Sequence, residues 1–203
     1  MPSAKTDDPI DVWVADGTMG PVKPDLPVMP ELVSGSTRVR PWRLDDLTCV
    51  EQASADDRIP RGTTVPSQFT ADAGRQWIHR QWGRYVAGEG WSSAIADATT
   101  DEAVGFVALL LRPLPGVAGV GYWVVPQARR LGHASHAVRV VRDWALAGGG
   151  CSRVEAWVEP GNAGSISVMD VCGFHFEDRL RSFLALDSGR SDALVFSSIA
   201  EDR

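Results

Sequence analysis

GVGYWVVPQARRLGHASHAVRVVRDWALA, residues 119–147, is the stretch whose reading decides the fold. Its first part, 120–125, is an apolar and aromatic run with the length and composition of a buried strand. Pro126 ends that strand, because it has no N–H to give to a ladder. Beyond a short polar turn, Ala134, Ala137, Val138, Val141, Trp144 and Ala145 recur at helical spacing. Between strand and helix stands Arg129-Arg130-Leu131-Gly132-His133-Ala134. A small-residue turn that opens a helix aims unpaired backbone N–H groups at one point. The helix dipole adds partial positive charge there, so the turn favours phosphate.

The residues narrow that reading. R-x-x-G-x-A after a strand, carried by Arg129, Gly132 and Ala134, resembles the pyrophosphate-binding motif of the GNAT superfamily of acyl-CoA-dependent N-acetyltransferases. Downstream, EPGNAGS at 159–165 and CGF at 172–174 resemble the second family signature, N-x-x-S/A followed by G-F. The spacing is similar to that of the RimJ/RimL-like branch, which acetylates N-terminal alanines of ribosomal proteins. The resemblance spans roughly residues 37–199.

The resemblance implies an α/β protein of the acyl-CoA N-acyltransferase fold, with a mixed, mostly antiparallel central sheet flanked by helices. It implies acetyl-CoA as co-substrate and no metal. The coenzyme would be held by the backbone at Val124 and Val125 and by the turn, Arg129, Arg130, Leu131, Gly132, His133, Ala134 and Ser135. Asn162 would hold the pantetheine region, and the Ser165 hydroxyl would reach the sulfur and protonate the departing thiolate. The chain also departs from the family. The branch usually reads R-G-R-G in the turn, where Arg130 and Leu131 stand here. The tyrosine many members place on the following helix is replaced by Met169, and the glutamate ahead of G-Y-W by Gly119. The general base is therefore left open among Glu155, Asp97 and a water chain.

Bulk properties exclude several other classes. A net charge of −6 argues against a nucleic-acid partner, which would favour a basic face. No run approaches the length of a membrane helix, and the N-terminus has no apolar signal region, so a cytoplasmic protein is expected. Cys49, Cys151 and Cys172 read as free thiols in a reducing compartment. His133 and His136 share a helix face but lack further ligands for a metal.

Residues 1–36 form a Pro-rich extension ahead of a catalytic domain at 37–203. Prolines at 21, 24, 27 and 30 favour an extended polyproline arm, and the sequence around Trp13 alternates like a short edge strand. Residues 37–43 read as a first strand, with Asp45 and Asp46 as N-cap candidates for a helix carrying Leu47 and Val50. A loop at 56–69, bearing Arg58 and Arg61, leads to a helix capped by Thr70. That helix carries Trp77, Ile78, Trp82 and Tyr85; the first two read as core. Strands follow at 91–97, 104–111 and 153–158, then a short helix at 162–171 and strands beginning at 174 and 193.

The reading these residues support is an N-acetyltransferase acting on a primary amine, either a peptide N-terminus or a small metabolite, as a monomer or homodimer. The missing tyrosine and glutamate leave two alternatives: another acyl donor or reaction on the same fold, and a non-catalytic acyl-CoA-binding module.

Overall fold

The computed structural model describes residues 11–13, 19–21, 26–186 and 189–202. Strands β1 (Asp11–Trp13) and β2 (Met19–Pro21) pair antiparallel as a separate ribbon, with Asp11 opposite Pro21. The rest of the Pro-rich arm, residues 1–10, 14–18 and 22–25, lies outside the described residues.

The main sheet contains β3 (Leu32–Ser34), β4 (Thr37–Arg40), β5 (Gly90–Asp97), β6 (Ala103–Leu111) and β7 (Val117–Val124). It continues with β8 (Arg153–Val158), β9 (His175–Leu186) and β10 (Gly189–Ile199). Its order is β3-β4-β5-β6-β7-β8-β10-β9, antiparallel at every junction except the parallel pair β7–β8. Helices α1 (Leu47–Ser54), α2 (Ile59–Gly62), α3 (Ala71–Val86), α4 (His133–Ala147) and α5 (Ala163–Val171) cover it. This is the mixed, flanked sheet expected. None of the helices among the described residues is long and apolar enough to cross a membrane.

Local chemistry accounts for the helix ends. The Thr70 hydroxyl caps α3 by accepting from Ala73 N–H at 3.1 Å. Gly132, at φ +88°, opens α4, and the Gly148–Gly150 run ends it. Residues Ala137, Val138, Val141 and Ala145 of α4 are fully buried, as their spacing requires. On the other side of the sheet, Trp77 of α3 packs edge-on to Trp42 at 5.0 Å and against Phe106 and Trp123 at 5.7 and 6.0 Å. Trp77 and Ile78 are core, as read. Each buried tryptophan removes on the order of 200 Å² from water, worth roughly 5 kcal/mol as an upper bound.

Several features differ from the sequence reading. The strand expected at 37–43 stops at Arg40, because Pro41 cannot extend the ladder. The loop at 56–69 contains the short helix α2, with Pro60 in its first turn. β9 and β10 are far longer than expected, because β9 is an exposed edge strand whose charged residues carry no apolar alternation. Asp46 does not cap α1. Its carboxylate accepts from Arg43 N–H at 2.8 Å and from two N–H groups of Arg40, both at 2.8 Å. The arm's last described residues also dock: the Tyr85 hydroxyl donates to the Leu26 carbonyl, and the Trp91 indole to that of Pro27.

Candidate active site

The parallel pair β7–β8 is short. Its rungs are Val117 opposite Arg153, Ala118 opposite Val154 and Gly119 opposite Glu155. β7 then runs on to Val124 beside β6, and β8 to Val158 beside β10, without pairing to each other. The two strands form a wedge with its apex at Gly119–Glu155. Backbone N–H and C=O groups along its inner edges are left for a guest with amide groups of its own.

The turn at 129–134, the expected phosphate site, follows the end of β7. Gly132 takes φ +88° and Arg130 takes φ +62°, a left-handed conformation that favours glycine. Arg130 thus adopts, under strain, a geometry that glycine adopts freely. Arg129 does not point its side chain outward. Its Nε donates to the Val124 carbonyl at 3.0 Å, and its terminal nitrogen pairs with Asp56 at 2.8 Å. Asp56 also accepts from the N–H groups of Arg58 and Ile59 at 2.9 Å. These bonds outweigh its burial and hold its carboxyl below the usual range.

His133 turns inward too. It is buried, shares a hydrogen bond of 3.0 Å with the Thr37 hydroxyl, and sits 4.0 Å from Asp97. Burial lowers its pKa against the pull of Asp97, so the ring favours the neutral form. The side chains of Arg129 and His133 brace the turn, and its backbone faces the opening. Among the described residues, the N–H groups of residues 130–135 donate to no backbone carbonyl outside the helix ladder. The first helical bond runs from His136 N–H to Gly132 C=O at 3.0 Å. Ala134 is small and half-buried, and the Ser135 hydroxyl donates back to Gly132 C=O at 2.9 Å.

α5 closes the wedge from the other side. The Asn162 side-chain oxygen accepts from Ser165 N–H at 3.1 Å and caps the helix, leaving its amide NH2 to donate. Tyr122, on β7 beyond the last rung, donates its hydroxyl to the Ser165 carbonyl at 3.4 Å. Burial pushes this phenol up to about 12, so it stays protonated at neutral pH. Tyr122 was not singled out from sequence. The only signal was its alternation with Val120 and Val124, opposite to Trp123. Met169 is fully buried and supplies packing alone.

Of the base candidates, Glu155 lies on the apex rung itself, its carboxylate accepting from Arg153 Nε at 2.8 Å. Asp97 lies at the end of β5. There it accepts from Thr99 and Thr100 N–H groups at 2.8 and 3.0 Å, and it contributes no group to the apex. Arg58 and Arg61 are exposed on α2 and its approach.

A separate cavity of about 720 Å³ lies between α1, the β5–β6 turn and the outer side of the phosphate turn. Its walls carry Asp45, Asp46, Asp97, Asp101 and Glu102, and its two arginines, Arg40 and Arg43, are already paired to Asp46 and Asp101. So acidic a wall disfavours phosphate, and no residue of β8 or α5 lines it.

A parted parallel strand pair with a braced, donor-lined turn at its mouth is the arrangement the sequence motif required. A family profile, the acetyltransferase (GNAT) domain, matches residues 37–175. The chain belongs to the GNAT acetyltransferase family. It is similar to the "Probable N-acetyltransferase YjcK" of Bacillus subtilis, at 29% identity over 136 residues, covering 66% of this chain and 75% of that protein. The fold is shared with a GNAT-family acetyltransferase from Bacillus anthracis, with a TM-score of 0.74 at 16% identity, over 85% of this chain and 99% of that one. It is also shared with Mycobacterium smegmatis RimJ, solved in complex with CoA-disulfide, with a TM-score of 0.72 at 22% identity, over 82% and 83%. The GNAT family and fold expected from the motif are thereby shown, with RimJ among the structural neighbours.

Proposed function

We propose that this acetyltransferase binds acetyl-CoA with its pyrophosphate on the 130–135 turn and its pantetheine arm in the β7–β8 wedge, and transfers the acetyl group directly to a primary amine. The observation that carries this is the wedge itself: strands that part at Gly119–Glu155, with the donor-lined turn at the open end. Each exposed charge–dipole contact at such a turn contributes about 0.3–1 kcal/mol, and several together anchor a diphosphate. Val124 supplies its N–H at the mouth, whereas the backbone of Val125 is taken up by Val104 and Ala128; Asn162 offers its amide NH2 to the arm.

The amine nitrogen attacks the thioester carbonyl, the C–S bond breaks, and the thiolate leaves with a proton from the Ser165 hydroxyl, which regains one from solvent as Glu155 releases the proton it has taken. Glu155, directly or through water, takes the proton that the amine gives up. Tyr122 holds Ser165 in place through its backbone carbonyl. The acceptor class is a peptide N-terminus or a small-molecule amine, and the working state is a cytoplasmic monomer or homodimer.

Calorimetric titration with acetyl-CoA tests binding, and thiol release with a panel of amines tests transfer. No heat at high acetyl-CoA concentration overturns the proposal. Binding without turnover identifies an acyl-CoA-binding module, and turnover only with longer acyl groups a different donor. Glu155→Gln should flatten the ascending limb of the pH–rate profile. An unchanged limb removes Glu155 as the base.

A further inference from the structure

The side chain that fills the apex of the wedge is a cation. Gly119 has no side chain, and a Cβ built there would collide with the Arg112 guanidinium, which lies directly over it. Arg112 stacks on the Trp157 ring with its central carbon 3.7 Å from the centroid, and Phe183 packs edge-on to the same ring at 4.7 Å. The stack fixes the guanidinium plane but uses none of its N–H donors. Among the described residues, the Arg112 guanidinium makes no hydrogen bond, and its Nε is fully shielded from water without a partner. The two terminal nitrogens are not shielded in this way, so they remain to donate to a guest.

The neighbouring charge is Glu155, opposite Gly119 and on the same face of the sheet. One oxygen of Glu155 accepts from Arg153 Nε at 2.8 Å. The other Arg153 nitrogens are taken by Glu177, at 2.8 and 2.6 Å. Glu155 therefore keeps acceptor capacity toward the wedge. The next residue of β7 on this face, Gly121, is exposed, with no atom within 4 Å of where its Cβ would stand. An unused guanidinium and a partly used carboxylate thus stand side by side above an open floor.

We infer that Arg112 and Glu155 form a receptor for a zwitterion: the acceptor is an amine with a carboxylate a few bonds away, as in a free amino acid. Arg112 takes the carboxylate through its fork, and Glu155 faces the ammonium that must lose a proton before transfer. A peptide N-terminus, whose neighbouring group is a neutral amide, leaves the Arg112 donors unmade. The inference rests on the transferase reading above and names the substrate of that same site.

Alanine and alaninamide, identical except for the carboxylate, make the test. The value of kcat/KM for acetyl transfer should favour alanine about tenfold or more, the discrimination one charge-assisted forked contact carries. In Arg112→Gln the ratio should fall to about 1. In Arg112→Lys, which keeps the charge without the fork, it should be intermediate. A readout independent of turnover is the rise in unfolding temperature with alanine against alaninamide in the presence of coenzyme A, which should vanish in Arg112→Gln. Equal or better use of alaninamide by the wild type, or a ratio that survives Arg112→Gln, overturns the inference. If coenzyme A binds but no amine is acetylated, the transferase reading fails. The alanine-dependent thermal shift then decides the receptor alone: its presence supports the clamp and its absence overturns it.

Discussion

Arg130 offers a direct measure of the backbone strain held in the turn that opens α4. It holds φ +62°, and its side chain is exposed. A non-glycine residue in that region costs roughly 1–2 kcal/mol. Arg130→Gly removes this cost but returns about 0.4–1 kcal/mol of unfolded-chain entropy. The net expectation is a gain of about 0.5–1 kcal/mol, or roughly 1–4 °C in unfolding temperature for a chain of this size. Arg130→Ala removes the same charge and keeps the strained φ, so its stability should stay within about 0.5 kcal/mol of wild type. The comparison of glycine with alanine therefore isolates the backbone term. Urea unfolding reads the difference, and acetyl-CoA titration reads the charge. Both variants should lose about twofold to fivefold in affinity, less at high salt, because each lacks one exposed cation beside the pyrophosphate. An alanine variant as stable as the glycine variant would refute the strained-turn reasoning. Unchanged affinity in both would show that the backbone alone recognises the anion.

Asp46→Ala leaves the Arg40 guanidinium buried without its two-pronged partner and should cost about 3–5 kcal/mol, read as a lower urea midpoint at unchanged slope. A loss below about 1 kcal/mol would mean that Arg40 finds water in the folded state. Burial raises all three thiols, Cys49 the furthest, so the folded protein should react with a thiol reagent at neutral pH only as fast as it opens. A fast-reacting thiol in the native protein would contradict that. His133 is held below its ordinary pKa, so from about pH 6.5 downward the unfolded chain binds a proton that the folded chain resists. Its contribution is fully present above that pH and is lost as pH falls. The decline in stability from pH 7.5 to 5.5 should accordingly be shallower in His133→Gln, and equal slopes would remove His133 from the account.

What could be read from sequence was local. Pro126, Gly132 and the apolar spacing of 134–145 carry their meaning within one strand, one turn and one helix, so this strand–turn–helix unit was legible before any folding was considered. The same holds for the Thr70 and Asn162 caps, each bonding three residues away. The β9–β10 hairpin was under-read because an exposed edge strand has no buried face to impose alternation. The turn around Arg129 and His133 is local, yet their side chains brace it through partners 73 and 96 residues away.

The catalytic end was decided by tertiary structure alone. Gly119 in sequence is merely a missing glutamate. In the fold it is the space that Arg112 occupies, across the β6–β7 turn and against Trp157 of another strand. The pairing of Tyr122 with Ser165 likewise spans 43 residues. Backbone conformation and helix dipoles depend on neighbours in the chain, so the geometry of the turn is a property of the motif. The charge at the apex depends on which side chains the sheet register places on one face, and that register exists only once the strands have paired.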